Sequence, residues 1–527
     1  MNNLRRTARV LLERAERAFD LAFGSSRNPL YHLGALGWFF YWIVAVSGIY
    51  LYIFFDTGVT QAYESVERIT YTQWYAGGIM RSLHRYASDA LVVVMVLHLL
   101  REYIKERMRG ARSFSWVTGL ALLWFVFASG ISGYWVVWDK FAQYIAIATT
   151  EWLDSLGIFA EPIARNFLHD TTLSGRFFTL MVFIHIAVPL ILLFLLWVHI
   201  QRCTHPKVNP PLGLAAGTLA MLLCLSLAFP AVSQGPVNLN QVPSVVSLDW
   251  FYLGLYPLLD RYSGQFLWSL LIGGTLALAI LPWVPYRRRQ PAAVVDLDNC
   301  NGCNRCAADC PFSAVTMGPR TDGKPFEHQA VVNPNLCVSC GICVGACPTS
   351  TPFRRRTELV PGIDLPTLPI REVREQTLKV CAELNGDVRI LVFGCTHGPN
   401  LQALQAQGTA IVSLNCIAML PPAFIDLVVS RNHADGVFLT GCRQGDCHYR
   451  LGLKWMEQRI NGERDPFLRK RAPRERIVQF WGGAAQQKKL IEELNTFRTR
   501  LLKLQEATRA NTDRNVNSST PTVVLDG

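Results

Sequence analysis

Eight cysteines fall into two copies of one spacing: Cys300-x-x-Cys303-x-x-Cys306-x-x-x-Cys310-Pro and Cys337-x-x-Cys340-x-x-Cys343-x-x-x-Cys347-Pro. Three thiolates on a tight loop suit three corners of an iron–sulfur cubane, while the fourth cysteine reaches the neighbouring cluster. One ligand set is then Cys300, Cys303, Cys306 and Cys347, and the other Cys337, Cys340, Cys343 and Cys310. Zinc competes for any single C-x-x-C, but a doubled pattern closed each time by proline leaves it little room.

Four histidines carry the second signal. His84 and His98 share one apolar stretch, His185 and His199 another, and both pairs are fourteen residues apart. Fourteen helical steps return to within about 40° of the starting direction and advance about 21 Å. Each helix thus offers two imidazoles on one face, one per membrane leaflet. Alternate spans run parallel, so His84 is expected to meet His185 at the outer level and His98 to meet His199 at the inner one. Two stacked bis-histidine sites are what two b-type haems require. Ionisable groups inside a membrane are costly and usually functional. Gly34 and Gly48, then Gly119 and Gly133, repeat the same interval and leave room for flat macrocycles.

Residues 30–285 resemble cytochrome b of the quinol-oxidising cytochrome bc complexes. The resemblance rests on Met80-Arg-Ser-Leu-His84 through His98, His185-Ile-Ala-Val-Pro189 through His199, and Gly133-Tyr-Trp-Val-Val-Trp138-Asp. Leu248-Asp-Trp-Phe-Tyr252 resembles the family's Pro-Glu-Trp-Tyr element at the outer quinol site, with Asp for Glu and Leu for Pro. The resemblance implies that Arg81 pairs with a haem propionate. It also implies that Asp249, with Trp250 and Tyr252, stands at an outer quinone site. Residues 293–353 resemble bacterial two-cluster ferredoxins.

Further cysteines follow short β runs: Cys395 after Ile-Leu-Val-Phe-Gly, then Cys416, then Cys442-Arg-Gln-Gly-Asp-Cys447-His-Tyr. Cysteines just past strand ends converge on one edge of a parallel sheet. Four thiolates suffice for a 2Fe–2S cluster, with zinc as the alternative. The stretch Ala434-Asp-Gly-Val-Phe-Leu-Thr-Gly through Tyr449 resembles the delta subunit of methyl-viologen-reducing hydrogenases, over roughly 385–483. That family passes electrons between a hydrogenase or formate dehydrogenase and a heterodisulfide-reductase-type flavoprotein. His397, His448, Cys203, Cys224 and Cys381 read as bystanders.

The elements that must position these groups follow from composition. Half of the 527 residues are hydrophobic and only 17% charged, against about a quarter in soluble domains. Six apolar segments lie near 34–55, 79–101, 114–138, 177–201, 212–230 and 264–284, each long enough to cross a bilayer. Basic residues (Arg101 to Arg112, and Arg287 to Arg289) follow the even-numbered segments. Those ends should therefore face the cytoplasm, as should both termini. This placement accounts for much of the net charge of +12 and argues against nucleic-acid binding. Residues 1–28 read as an amphipathic helix, on the inner membrane surface or solvated.

The expected fold is a multi-domain membrane protein. A six-span α-helical cytochrome b-type bundle (29–286) leads to a small α+β two-cluster ferredoxin domain (293–353). A linker (354–384), a small α/β domain (385–505) and a disordered tail (506–527) follow. Its expected place is the inner (cytoplasmic) membrane, with the iron–sulfur domains in the cytoplasm and membrane lipid and quinone as partners. Two copies could pair through the cytochrome b part. A nucleotide fingerprint G-x-G-x-x-G after a strand is lacking, so the hydride- or hydrogen-handling site belongs on another chain, a soluble flavoprotein or hydrogenase-type subunit. The leading reading is a membrane electron-transfer subunit of a quinone-linked oxidoreductase complex. The alternatives are a transmembrane reductase for an external acceptor and a membrane anchor for a soluble redox enzyme. The purified chain should contain two b haems, eight irons in cubanes and two more in a binuclear cluster, as metal and pyridine-haemochrome analysis would show. Stoichiometric zinc with only eight irons would remove the last cluster.

Overall fold

A computed structural model describes residues 2–167, 175–201, 206–241, 243, 245–284, 290–353 and 358–518. Arg287 to Arg289 and Cys203 lie outside the described residues. The chain divides into two units, residues 18–287 and residues 1–17 with 288–527.

In the first unit the apolar segments form helices almost where composition places them. After α1 (Asn2–Phe23) come α2 (Leu33–Phe54), α3 (Ile79–Ile104) and α4 (Ser113–Val137), then α5 (Lys140–Asp154), α6 (Gly175–Gln201) and α7 (Leu212–Ala228). The short α8 (Trp250–Leu253) and then α9 (Gly264–Ile280) complete it. Among the described residues four helical stretches are long and apolar enough to cross a membrane: Leu33–Phe54, Gly110–Val137, Phe178–Gln201 and Gly264–Trp283. Helix α3 is 26 residues long but holds Arg81, Arg85, Asp89 and Arg101, and α7 has only 17 residues. Backbone groups in such helices bond internally, which is what a hydrocarbon surrounding demands.

Helix α2 packs along α3, and α4 along α6. Pro189 inside α6 removes the amide hydrogen bond to the His185 carbonyl. The Pro189 carbonyl itself takes the Tyr41 hydroxyl at 3.0 Å, fastening α6 to α2. Trp138, left-handed at φ 54°, ends α4, and Asp139 caps α5 through the Ala142 amide at 2.8 Å. Arg109, in the basic loop after α3, donates to the Pro282 and Val284 carbonyls at 3.0 and 2.7 Å. Part of that basic loop therefore ties off the end of the last long helix.

In the second unit, β1 (Val294–Val295) pairs with β4 (Ile363–Asp364) and β2 (Val315–Pro319) with β3 (His328–Val332), both antiparallel. β5 (Ile390–Cys395), β6 (Thr409–Leu414), β7 (Gly436–Gly441) and β8 (Ile477–Trp481) form a parallel sheet in the order β6-β5-β7-β8. Helices α10 (Ile370–Ala382), α11 (Pro422–Ser430), α12 (Gly452–Asn461) and α13 (Gln487–Ser518) accompany it.

Three expected boundaries change. The 354–384 linker contains β4 and α10, whose Ile370, Val373, Thr377 and Cys381 recur at helical spacing and are buried. The tail expected to be disordered from 506 is helical as far as Ser518. Leu490, Leu494, Phe497 and Leu501 anchor α13 in a core with Ile390, Val392 and Phe438, and propagation past an anchored turn is cheap. In the first part of α1 the acidic face is packed rather than solvated, while Leu11 stays exposed. Glu13 and Glu16 are buried; Glu13 accepts from the Ala485 amide at 2.9 Å, and Arg443 reaches Glu16 at 3.5 Å.

The ferredoxin-like and α/β parts share one core, with Ile342, Val344, Met419, Leu420, Phe424 and Met456 in a single cluster. Arg459 is its charged centre. Fully buried, it ion-pairs with Asp309 and donates to the Ala418 carbonyl at 2.8 Å and the Ile342 carbonyl at 3.4 Å. Arg464 holds the other Asp309 oxygen at 2.7 Å. Stripping one partner from such a pair costs about 3–5 kcal/mol, because the other charge stays buried. Asp309→Ala should therefore lower the melting temperature of the iron–sulfur unit markedly, and Asp309→Ala with Arg459→Met should recover much of the loss. Thermal melts followed by cluster absorbance would show it; equal melting for the single and double variants would contradict it.

Candidate cofactor sites

The structure brings His84 and His185 together, with ring centroids 6.3 Å apart and planes 71° apart. A metal–imidazole bond of about 2 Å on each side of one ion, plus roughly 1 Å from each nitrogen to its ring centre, gives about 6 Å. The rings are thus spaced for one ion between them. His98 and His199 are the other neighbouring pair.

A proton position follows from the hydrogen bonds. His84 Nδ1 lies 2.9 Å from the Val44 carbonyl, and His185 Nδ1 lies 3.1 Å from the Ser129 carbonyl. A carbonyl only accepts, so Nδ1 carries the proton and Nε2 keeps the lone pair a metal needs. Ser47 Oγ and Ser132 Oγ lie 3.2 and 3.3 Å from the same nitrogens, and Thr118 Oγ1 lies 2.9 Å from His199 Nδ1. These hydroxyls were missed from sequence. Their signal is a hydroxyl residue immediately before glycine: Ser47-Gly48, Thr118-Gly119 and Ser132-Gly133.

Each of the four glycines faces one imidazole across a helix pair. A Cβ on Gly48 would stand 2.9 Å from His84 Cε1, and one on Gly133 2.8 Å from His185 Cε1. At Gly34 and Gly119 the nearest atoms of His98 and His199 would be 3.6 Å away. The glycines therefore let the rings themselves approach the neighbouring backbone. Arg81 donates to Thr70 and, at 2.9 Å, to Ser233, with Glu67 at 3.7 Å.

Asp249, Trp250 and Tyr252 do not gather at one cavity. Trp250 is 69% exposed, whereas Asp249 and Tyr252 are buried. Asp249 caps α8, accepting the Phe251 amide at 2.8 Å, which turns its carboxylate inward onto Arg85 at 2.6 Å and the Tyr134 hydroxyl. Tyr252 reaches the Ser88 hydroxyl at 2.6 Å. Arg85 and Asp89 also escaped the sequence reading; their signal is an arginine and an aspartate four apart inside an apolar segment.

In the second unit Cys300, Cys303, Cys306 and Cys347 line one pocket, and Cys310, Cys337, Cys340 and Cys343 line another. Both pockets are walled by apolar side chains such as Met317 and Ile363, or Phe312 and Leu365. Positive φ values on both sides of each second cysteine, at Gly302 and Asn304 and again at Ser339 and Gly341, turn the loops. Burial pushes the Cys306 and Cys340 thiols up to about 12, so metal must displace protons to bind.

Cys395, Cys416 and Cys442 stand at the carboxyl ends of β5, β6 and β7, beside the point where the strand order reverses. Cys395 and Cys442 sulfurs are 4.0 Å apart, and the Cys447 thiol neighbours those of Cys416 and Cys442. Three buried thiols and the half-buried Cys447 meet there, with Cys442 and Cys447 both pushed up to about 12 by neighbouring thiols and burial. His397 and His448 stack on each other at 3.7 Å.

Three family patterns match: "Cytochrome b/b6/petB" over residues 19–205, "4Fe-4S dicluster domain" over 299–351, and "Methyl-viologen-reducing hydrogenase, delta subunit" over 390–505. Cytochrome b of Rhodospirillum rubrum is 24% identical over 292 residues, covering 49% of this chain and 70% of that protein. A solved chain of a hyperthermophilic respiratory complex III aligns at 19% identity and TM-score 0.41, over 48% of this chain and 75% of that one. The chain joins a cytochrome b part to two iron–sulfur parts. It is a membrane electron-transfer protein, and its cytochrome b and dicluster parts imply haem b and 4Fe–4S clusters.

The two glycine distances separate the histidine pairs. Gly48→Ala and Gly133→Ala should displace or abolish the His84–His185 haem, while Gly34→Ala and Gly119→Ala, in ordinary contact range, should leave the His98–His199 haem bound. Optical and EPR spectra of the purified variants would show it; equal tolerance at all four positions would contradict this account.

Proposed function

We propose that the chain is the membrane electron-transfer subunit of a quinone-linked oxidoreductase complex. It lies in the cytoplasmic membrane with six spans, counting α3 and α7, and with both termini and the iron–sulfur unit on the cytoplasmic side. His84 with His185, and His98 with His199, would hold two b haems, with Arg81 toward a propionate. The two ferredoxin sets would each hold a 4Fe–4S cluster, and Cys395, Cys416, Cys442 and Cys447 a 2Fe–2S cluster. When bound, these groups supply one-electron carriers whose potentials follow ligand type, hydrogen bonding and burial.

The observation that carries this reading is the single core shared by the three thiol sets. Asn415 donates to the Ser339 carbonyl at 3.0 Å, and Met419 packs on Gly341. The backbone on both sides of Cys416 is thereby fixed against the loop of Cys340. A redox set built into the same core as a two-cluster module is placed to exchange electrons with it, and a hydrogenase delta-type part supplies the contact for a soluble partner. That partner is a flavoprotein, hydrogenase or formate dehydrogenase subunit; the membrane-side partner is a lipid quinone.

The test is isolation of the intact complex, with its soluble subunit, followed by substrate-driven quinone turnover. Quinol-site inhibitors should block turnover, and Cys416→Ser should depress it at least tenfold while both haem spectra persist. Clusters that keep one oxidation state throughout turnover would make the chain an anchor instead.

A further inference from the structure

Beyond the cofactor sites, one buried group of charges in the cytochrome b part joins α3 to α4 and α8. Arg85 and Asp89 lie one turn apart on α3, with Arg85 Nε 3.3 Å from Asp89 Oδ2. Arg85 Nη2 is 2.6 Å from Asp249 Oδ2. The Asp89 and Asp249 carboxyl groups thus both meet the one Arg85 guanidinium. Tyr134 from α4 donates to Asp249 and sits under the Arg85 guanidinium, 4.7 Å to the ring centre. Tyr86 and Tyr252 complete the titratable surroundings.

The two acids are served unequally. Asp249 accepts from Arg85, Tyr134 and the Phe251 amide. Among the described residues Asp89 accepts only from Arg85, and its buried Oδ1 meets no donor. Two carboxylates around one guanidinium would leave a net negative charge in a water-poor interior, which is expensive. Two facing carboxyl groups that share a site cannot both ionise readily. One proton on the pair brings its charge back to balance with Arg85.

We propose that Asp89 and Asp249 form a one-proton carboxyl pair on Arg85, with Asp89 carrying the proton and exchanging it with a quinone. The use of that proton rests on the quinone-linked reading; its presence does not. When a quinone oxygen takes up an electron from a b-type haem, the Asp89 O–H bond breaks and an O–H bond forms on the quinone. The Asp89 carboxylate left behind pairs with Arg85, and the reverse reaction returns the proton. Arg85, whose side chain is 34% exposed, gives the group its opening to the surface of the unit.

The pair predicts a pattern that independent acids would not show. Infrared difference spectra of the detergent-purified holoprotein, with carbon-13-labelled aspartate, should show a protonated carboxyl band at neutral pH. Asp89→Asn should remove it. Asp249→Asn should remove it as well, because a single remaining carboxylate pairs with Arg85 and ionises. Asp89→Glu should keep the band at a shifted frequency, with haem spectra reporting that each variant is folded. Quinone turnover in Asp89→Asn should fall by about a hundredfold, the usual scale for loss of a proton-transfer group. A wild-type protein without the band, or a band surviving in both Asn variants, overturns the proposal. A wild type that shows the band but reacts with no quinone overturns its role toward quinone and the quinone-linked reading together, while the shared proton stands.

Discussion

An imidazole resting against a glycine of the next helix, with its Nδ1 proton fixed on a backbone carbonyl, is the contact on which the membrane unit depends. The carbonyl of Val44 or Ser129 decides which nitrogen faces inward, and Ser47 or Ser132 backs it up. The glycine decides how near the two helices run, since any side chain there would push the ring out of line. Both demands act on the same pair of helices, α2 with α3 and α4 with α6, which are the most extensively packed partners in the unit. Helix packing and ligand orientation are therefore one constraint. A second hydrogen bond of this kind also raises ligand basicity and holds the ring against rotation.

The iron–sulfur unit meets the same requirement with different means. Thiols have no second nitrogen to anchor, so the backbone is turned instead, through positive φ on both sides of Cys303 and Cys340. The loops are then held by a core common to both parts, where Arg459 binds carbonyls from each: Ile342 beside Cys343, and Ala418 two residues beyond Cys416. Separate domains on a linker would leave the spacing of the thiol sets to chance. A shared core sets it during folding.

Much of this was legible in the sequence because the chemistry is periodic. Fourteen-residue intervals on helices, and doubled C-x-x-C runs, survive translation into structure because both depend on local geometry. The helix limits followed from apolar runs for the same reason. What escaped depended on long-range packing. The acidic face of α1 reads as solvated until Arg443 and the Ala485 amide, more than 400 residues away, are placed against it. The linker reads as loop because its prolines outweigh the spacing of Ile370, Val373 and Cys381. Asp249 reads as an acid at an outer quinone site, and nothing local announces that α8 lies against Arg85 and Tyr134.

The buried charge groups at Asp309 and at Arg85 have opposite imbalances, and the difference has chemical meaning. Asp309 meets two arginines, Arg459 and Arg464, so its surroundings carry an excess positive charge. Arginine does not surrender its proton in proteins, so that excess is permanent. It stands one residue from Cys310, where thiolates and their metals bring negative charge that varies with electron count. Arg85 meets two carboxylates, an excess of the other sign. That excess is not permanent, because a carboxylate can take a proton. A permanent excess of charge thus stands beside Cys310, and an excess that one proton can cancel stands between α3, α4 and α8.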